Sequence, residues 1–312
     1  MFSLDIRSLA CVNYQLFTNR LISSRNHLTH QTMTYTEQLN AAVEAVDKAQ
    51  ASIRDYFDGS FDISIKADNS PVTEADVAAE KIIQSVLLSA FPGYGFYGEE
   101  TDRVAPSGGD SSDANADADY LWLVDPIDGT KSFIRRSPFF STQVALMAPQ
   151  GLILGISNAP CFPVAGPGQS QLHTERVEAV RGQGCRRNGQ VVTTRDVRRL
   201  EDAYLSSGNL KSLALDATRW GRYAQLVSRV ARVRGYGDFY HYHQLVSGEA
   251  DLVVESDVNI LDIAALVVAV EEAGGVFTDI HGDPVGLETT SVLAAATPQL
   301  HRETLELLAG KS

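Results

Sequence analysis

The chain has 312 residues, 44% of them apolar, which is enough to bury one large core or two modest ones and excludes a disordered chain. Its 26 Lys and Arg against 39 Asp and Glu give a net charge of -13, a field that repels polyanions and argues against nucleic-acid or anionic-membrane partners. No apolar run approaches the roughly 20 residues of a membrane span, and Cys11, Cys161 and Cys185 are too scattered for a disulfide framework or a zinc cluster.

Residues 1–33 hold Arg7, Arg20, Arg25 and several serines, with Asp5 as their one acid. That composition resembles an organellar transit peptide, the plainer alternatives being an upstream start or a frayed tail. The expected location is the cytoplasm, or a plastid or mitochondrion if the extension is a targeting segment. From Thr36, the residues Leu39, Ala42, Val43, Val46, Ala49, Ile53 and Phe57 recur at helical spacing until Gly59 and predict a long amphipathic helix. A second helix starts at Thr73, runs through Val77, Ile82, Val86 and Leu87, and must stop at Pro92-Gly93. Val104 to Asp119, rich in Gly, Ser, Asp and Ala, predicts a flexible acidic loop without chemistry of its own.

Strands dominate the middle: Tyr120 to Val124, then Ser141 to Ala148 and Leu152 to Asn158, the last two joined as an antiparallel hairpin across Pro149-Gln150-Gly151. Gly182-Gln-Gly184 and Gly189 lack the strand-to-helix context of a nucleotide loop and predict turns. After Arg199, helices and strands alternate: Ala217 to Val233 helical, Ala250 to Glu255 extended, Asn259 to Ala273 helical, Val276 to Asp279 extended. The expected organisation is a mixed α/β fold with an extension over 1–33, an antiparallel-sheet subdomain over 34–199 and an α/β subdomain over 200–312 completing one shared site.

The chemistry lies in acidic clusters. Asp125-Pro-Ile-Asp-Gly-Thr130 follows a buried strand, so Asp125 and Asp128 emerge where a rigid element meets a loop. Gly129 lets main chain approach a ligand closely, and Thr130 supplies a hydroxyl and free N–H groups. Gly98-Glu99-Glu100 adds two acids. Asp262 stands at the start of a helix that Asn259 can cap, and Asp76 three residues after Thr73; for each alone, capping is the simpler explanation. Several such carboxylates and carbonyls suit a hard divalent cation such as Mg²⁺, which also takes phosphate oxygens. His241 and His243, two apart, point to different faces of a helix and make a poor zinc pair.

Together, Asp125-Pro-Ile-Asp-Gly-Thr130, Gly98-Glu99-Glu100, Ser70-Pro-Val-Thr-Glu-Ala-Asp76 and Asp262-Ile-Ala-Ala265 resemble, in order and over about Thr36 to Leu308, the inositol monophosphatase superfamily of Mg²⁺-dependent, lithium-sensitive phosphomonoesterases. Leu261, where the family usually has Trp, and the long acidic loop after Glu100 depart from the pattern. The resemblance implies an αβαβα sandwich of the inositol monophosphatase and fructose-bisphosphatase type, two or three Mg²⁺ per site, and a homodimer acting on a small phosphomonoester. It makes Glu99, Asp125 and the carbonyl of Ile127 ligands of one metal, and Asp125, Asp128 and Asp262 ligands of a second. Thr130, bonded to Asp76, would accept or orient the proton of the attacking water, and the Gly129 and Thr130 amides would hold phosphate.

Lys131-Ser-Phe-Ile134 and Gly237-Asp238 with Tyr240 look most like the histidinol-phosphate phosphatase branch. Asp238 and Glu255 would suit the ammonium and imidazole of histidinol by charge, while a solvated surface position is the commoner fate of a lone carboxylate. Inositol monophosphatases remain an alternative, as do the phosphatases of 3'-phosphoadenosine 5'-phosphate, which Trp122-Leu-Val-Asp-Pro, Lys131 and Phe133 resemble. A non-catalytic metabolite-binding scaffold of the same fold is the alternative from another class.

Overall fold

The computed structural model describes residues 34–66, 70–101, 103–106, 119–164 and 173–310. The N-terminal extension and most of the acidic loop lie outside them.

Helix α1 (Thr36–Asp58) buries Ala42, Ala45, Val46, Ala49 and Ile53 along one face. The alanines keep that face low, so helix α2 (Glu74–Ala90) packs closely through Ala75, Ala79, Ile83 and Leu87. Between the helices, β1 (Ile63–Ile65) and β2 (Pro71–Thr73) form a short antiparallel pair whose few residues are too short a run to signal strand in the sequence. Both helices cover one face of a seven-stranded sheet of β3 (Gly95–Gly98), β4 (Leu121–Asp128), β5 (Ser141–Ala148), β6 (Gly151–Val164), β7 (His173–Val180), β8 (Gly184–Arg187) and β9 (Gln190–Val192), in that spatial order. Only β3 and β4 run parallel. The expected hairpin at Pro149-Gln150 is present, and Gly182 to Gly184 turns β7 into β8.

Helix α3 (Thr130–Ile134) is a short turn after β4. The remaining elements build a second layer pair: β10 (Tyr204–Gly208), α4 (Lys211–Leu215), α5 (Ala217–Arg229), β11 (Arg232–Arg234), α6 (Asp238–Val246), β12 (Leu252–Ser256), α7 (Ile260–Glu272), β13 (Val276–Asp279), β14 (Ser291–Ala295) and α8 (Pro298–Ala309). The five strands lie in the order β11-β10-β12-β14-β13. Side chains alternate across this sheet. Val253, Val292, Ala294 and Phe277 face α6 and α7, whereas Leu252, Val254, Leu293 and Ala295 face α4, α5 and α8.

Helix α7 is the middle layer. From Ile260 to Val270 every residue but Asp262 is buried, as expected of a helix apolar all round and held between two sheets. Its Ile263, Leu266 and Val270 meet the second sheet, while Leu261, Ala264 and Ala265 meet Leu121, Leu123 and Ala145 of the first. Gly155 of β6 makes that contact possible, since a Cβ there would stand 2.7 Å from the Ala265 Cα. Leu261, 4% exposed, fills the place behind Asp262. The layers thus run helix, sheet, helix, sheet, helix, the αβαβα sandwich implied by the sequence motifs.

Some element boundaries differ from the sequence reading. The helix from Ala217 ends at Arg229, because Arg232 to Arg234 pair in parallel with Tyr204 to Ser206 and the sheet edge outcompetes continued helix. Strand β4 continues through Asp128, and β6 reaches Val164. Helix α6 had no periodic apolar signal, being rich in His and Tyr. Among the described residues no helix is long and apolar enough to cross a membrane.

Candidate active site

Strand β4 delivers the central acids. Its pairing with β5 loses register between Asp125 and Asp128, and this bulge at Pro126-Ile127 turns both carboxylates toward the same space. Gly129, at φ 96°, ends the strand in a left-handed turn. A Cβ there would be strained in conformation and stand 2.9 Å from the Phe139 carbonyl oxygen. Asp262 arrives from the middle layer as the third residue of α7, in a reciprocal cap with Asn259: the Asn259 N–H donates to Oδ2 at 2.8 Å and its amide to Oδ1 at 2.7 Å. One oxygen each of Asp125, Asp128 and Asp262 lies within 4.8 Å of the others.

Three carboxylates so close destabilise one another's charge. Burial, then the charges of Glu99, Asp128 and Asp262, holds Asp125 well above the usual carboxylate range. Asp128 is raised likewise by burial, then by Asp262, Asp238 and Glu255. Burial pushes Asp262 up to about 7, against the bond from the Asn259 N–H. A cation among them would relieve both effects, and an all-oxygen donor set is the kind a hard divalent metal takes.

Asp76 divides its oxygens between two partners. Oδ2 accepts from the Thr73 N–H at 2.8 Å and hydroxyl at 2.5 Å, the capping role, while Oδ1 accepts from the Thr130 hydroxyl at 3.2 Å. Thr130 Oγ1 is also 3.1 Å from the Ile127 carbonyl oxygen, so the one hydroxyl links Asp76 to the β4 bulge. Burial raises the pKa of Asp76 despite the bonds from Thr73 and Thr130.

Glu99 stands beside Asp125 but outside the group of three, and Lys66 Nζ lies 3.0 Å from its Oε1 and 2.7 Å from Glu100 Oε1. Burial carries Glu100 up to about 7 even against the Lys66 hydrogen bond. Glu80, fully buried, takes the Glu100 N–H at 2.8 Å. Lys66 and Glu80 were not singled out in the sequence. Glu80 had a signal, since it lies four residues after Asp76 on the same helix face; Lys66, on an irregular segment, had none.

Asp238 is the first residue of α6, with φ 47° beside Gly237, and burial followed by the Glu255 charge pushes it up to about 6. Glu255 is not a surface acid. It is 2% exposed, its Oε2 bonded by Tyr242 Oη at 2.9 Å and His241 Nε2 at 3.1 Å, its Oε1 by Asn209 at 3.3 Å. An aromatic border adjoins them: Phe139 packs edge-on against Phe162 and Tyr240 with ring centres 5.0 and 5.8 Å apart, and Tyr236 against Tyr240 at 5.8 Å. His241 and His243 turn to separate partners and form no zinc pair.

Residues 34–311 match the model of the inositol monophosphatase family. The chain is similar to the chloroplastic bifunctional phosphatase IMPL2 of Arabidopsis thaliana, with 35% identity over 84% of this chain and 72% of that one. It is 34% identical to a histidinol-phosphatase of Chlorobaculum parvum, over 79% of this chain and 87% of the relative. Among solved structures, an inositol monophosphatase of Zymomonas mobilis superposes with a TM-score of 0.72 at 31% identity, covering 89% of this chain and 99% of that one.

Proposed function

The chain belongs to the inositol monophosphatase family of phosphoric monoester hydrolases, and from that membership we propose that it hydrolyses L-histidinol phosphate to L-histidinol and phosphate with Mg²⁺ as cofactor. The observation carrying this reading is the acidic pair Asp238 and Glu255, whose charges bear on Asp128. A neutral polyol gives such a pair nothing to neutralise, whereas the ammonium of histidinol gains a charge-assisted hydrogen bond. The border of Phe139, Phe162 and Tyr240 offers ring faces and edges to a planar imidazole.

In this reading Glu99, Asp125 and the Ile127 carbonyl hold one Mg²⁺, and Asp125, Asp128 and Asp262 a second. Bound, the ions offset phosphate charge and activate water for in-line displacement. The Gly129 and Thr130 amides orient the phosphate. The Thr130 hydroxyl, its hydrogen directed to Asp76 Oδ1, keeps lone pairs free to take the proton of the attacking water and pass its own to Asp76. The raised pKa of Asp76 suits that recipient. A water oxygen would bond to phosphorus while the phosphorus–alkoxide bond breaks, and the departing alkoxide would take a proton from solvent water to leave as the alcohol.

The test compares kcat/KM for histidinol phosphate, inositol 1-phosphate and 3'-phosphoadenosine 5'-phosphate at saturating Mg²⁺. Histidinol phosphate is expected to lead. A hydrogen bond to a charged group contributes about 1.5 to 3 kcal/mol, so Asp238→Asn should slow histidinol phosphate roughly 10- to 100-fold and leave inositol 1-phosphate nearly unchanged. Equal losses on both substrates would overturn the histidinol reading and leave the phosphatase standing. The structural likeness to an inositol monophosphatase supports inositol phosphates as the second reading.

A further inference from the structure

A row of buried polar side chains crosses the inner face of the first sheet, starting from the acidic cluster. Asp128 and Ser141 are directly paired across β4 and β5, as are Gln143 and Ser157 across β5 and β6. Ser141, Gln143, Ser157, His243 and Glu175 are each 2% exposed or less. Polar groups so deep are costly unless bonded, and these are bonded in series, with Gln143 Oε1 alone of their side-chain oxygens left without a partner. Ser141 Oγ lies 3.4 Å from Asp128 Oδ2, Gln143 Nε2 lies 2.8 Å from Ser141 Oγ and 3.1 Å from Ser157 Oγ, and His243 Nε2 lies 2.8 Å from Ser157 Oγ. His243 Nδ1 ends the row on Glu175 Oε1 at 3.0 Å, where Arg187 also reaches Glu175 at 2.6 Å.

The donors and acceptors admit a consistent assignment. Nδ1–H of His243 faces a carboxylate, so neutral His243 accepts at Nε2 from the Ser157 hydroxyl. The two amide hydrogens of Gln143 go to Ser157 and Ser141. The Ser141 hydrogen is then left for Asp128. Burial lowers the pKa of His243, although Glu175 opposes it, in keeping with the neutral ring. Burial would raise Glu175, but the His243 hydrogen bond and the Arg187 charge work against it and hold the carboxylate below its ordinary range.

We propose that Ser141, Gln143, Ser157 and His243 form a buried positioning relay that fixes one oxygen of Asp128 and ties its orientation to α6, the helix that presents Asp238. The proposal rests on reading Asp128 as a metal ligand. Groups that orient a ligating carboxylate commonly change metal affinity 10- to 100-fold when removed. Ser157 touches neither the acids nor the substrate side, so an effect there must travel along the row.

The test is Mn²⁺ titration of the full chain after chelator treatment, with free ion read by electron paramagnetic resonance and thermal unfolding followed on the same samples. Ser157→Ala should bind Mn²⁺ roughly 10-fold more weakly, and adding it to Ser141→Ala should cost little beyond Ser141→Ala alone. His243→Gln, which keeps a donor for Glu175 and an acceptor for Ser157, should retain wild-type affinity, while His243→Leu should not. His243→Leu strands a buried carboxylate and invites misfolding; Ser157→Ala removes only a hydroxyl and carries the test. Unchanged Mn²⁺ affinity in Ser157→Ala, or losses that simply add with Ser141→Ala, overturns the relay. Failure of the wild-type chain to bind Mn²⁺ overturns the metal-ligand reading and the relay with it.

Discussion

Asp76 shows why single acids were hard to assign from sequence. Capping a helix and activating a nucleophile are alternatives for one oxygen but not for one carboxylate, and here Oδ2 serves Thr73 while Oδ1 serves Thr130. If Thr130 and Asp76 act as one proton-accepting unit, either Thr130→Ala or Asp76→Asn removes most of its contribution, so the double variant should be little slower than the worse single one. Steady-state kcat of the three variants at saturating Mg²⁺ checks this, and losses that multiply would return Asp76 to capping alone. Asp76→Ala should also lower thermal stability, because it removes the acceptor for the Thr73 N–H and hydroxyl at the start of α2; Thr130→Ala should leave that cap in place. Asp125→Asn and Asp262→Asn should each lower turnover by orders of magnitude with the fold kept by circular dichroism, since they remove ligand charge rather than packing. Glu255 was readable as an acid of interest but not as a fully buried one, because Asn209, His241 and Tyr242 come to it from other elements.

At the scale of elements, the strongly periodic helices α1, α2 and α7 and the hairpin of β5 and β6 were legible, because their apolar spacing coincides with what the layers bury. Helix α6 was not. Its inward residues include His241, Tyr242 and His243, buried by hydrogen bonds to Glu255, Glu175 and Ser157 that no local pattern announces. The bulge in β4 was likewise hidden, though the motif it shapes was plain. The bulge sets where Asp125 is presented, and its meeting with Asp262 depends on α7 lying close to the first sheet. Gly155→Ala tests the dependence. Its Cβ would press on the Ala265 backbone, and since backbone cannot rotate away, overpacking should cost about 1 to 3 kcal/mol. The shift of α7 should also weaken metal binding, although Gly155 touches no acid of the site. Chemical denaturation and Mn²⁺ titration of the same variant measure the two effects, and a stable variant with weakened Kd, or the converse, would separate packing from site assembly.

For the whole molecule, the acidic composition acts most strongly where acids are concentrated, and pH should reveal it. Without metal, Asp262 at about 7 and Asp238 at about 6 hold protons that the unfolded chain has already lost. Stability from these groups therefore falls as pH rises from about 4 toward 7 and changes little above it. His301 works in the opposite direction. Burial lowers it to about 4, so its contribution is present above about 6.5 and lost as pH falls toward 4. The two limbs overlap and partly cancel in the melting curve of the metal-free chain. The histidine part is common to both conditions, however, so subtracting the melting temperature in chelator from that in Mg²⁺ removes it. What remains is metal linkage: the ion binds deprotonated carboxylates and displaces their protons, so its apparent affinity rises with pH. At a free concentration one hundredfold above Kd the ion stabilises by about 2.7 kcal/mol. The Mg²⁺-minus-chelator difference should therefore grow steadily from pH 5 to pH 8 and collapse in Asp125→Asn, while His301→Gln should flatten the acid limb in both conditions and leave the difference unchanged. A difference independent of pH over that range would mean that Asp125, Asp128 and Asp262 do not exchange protons for a cation.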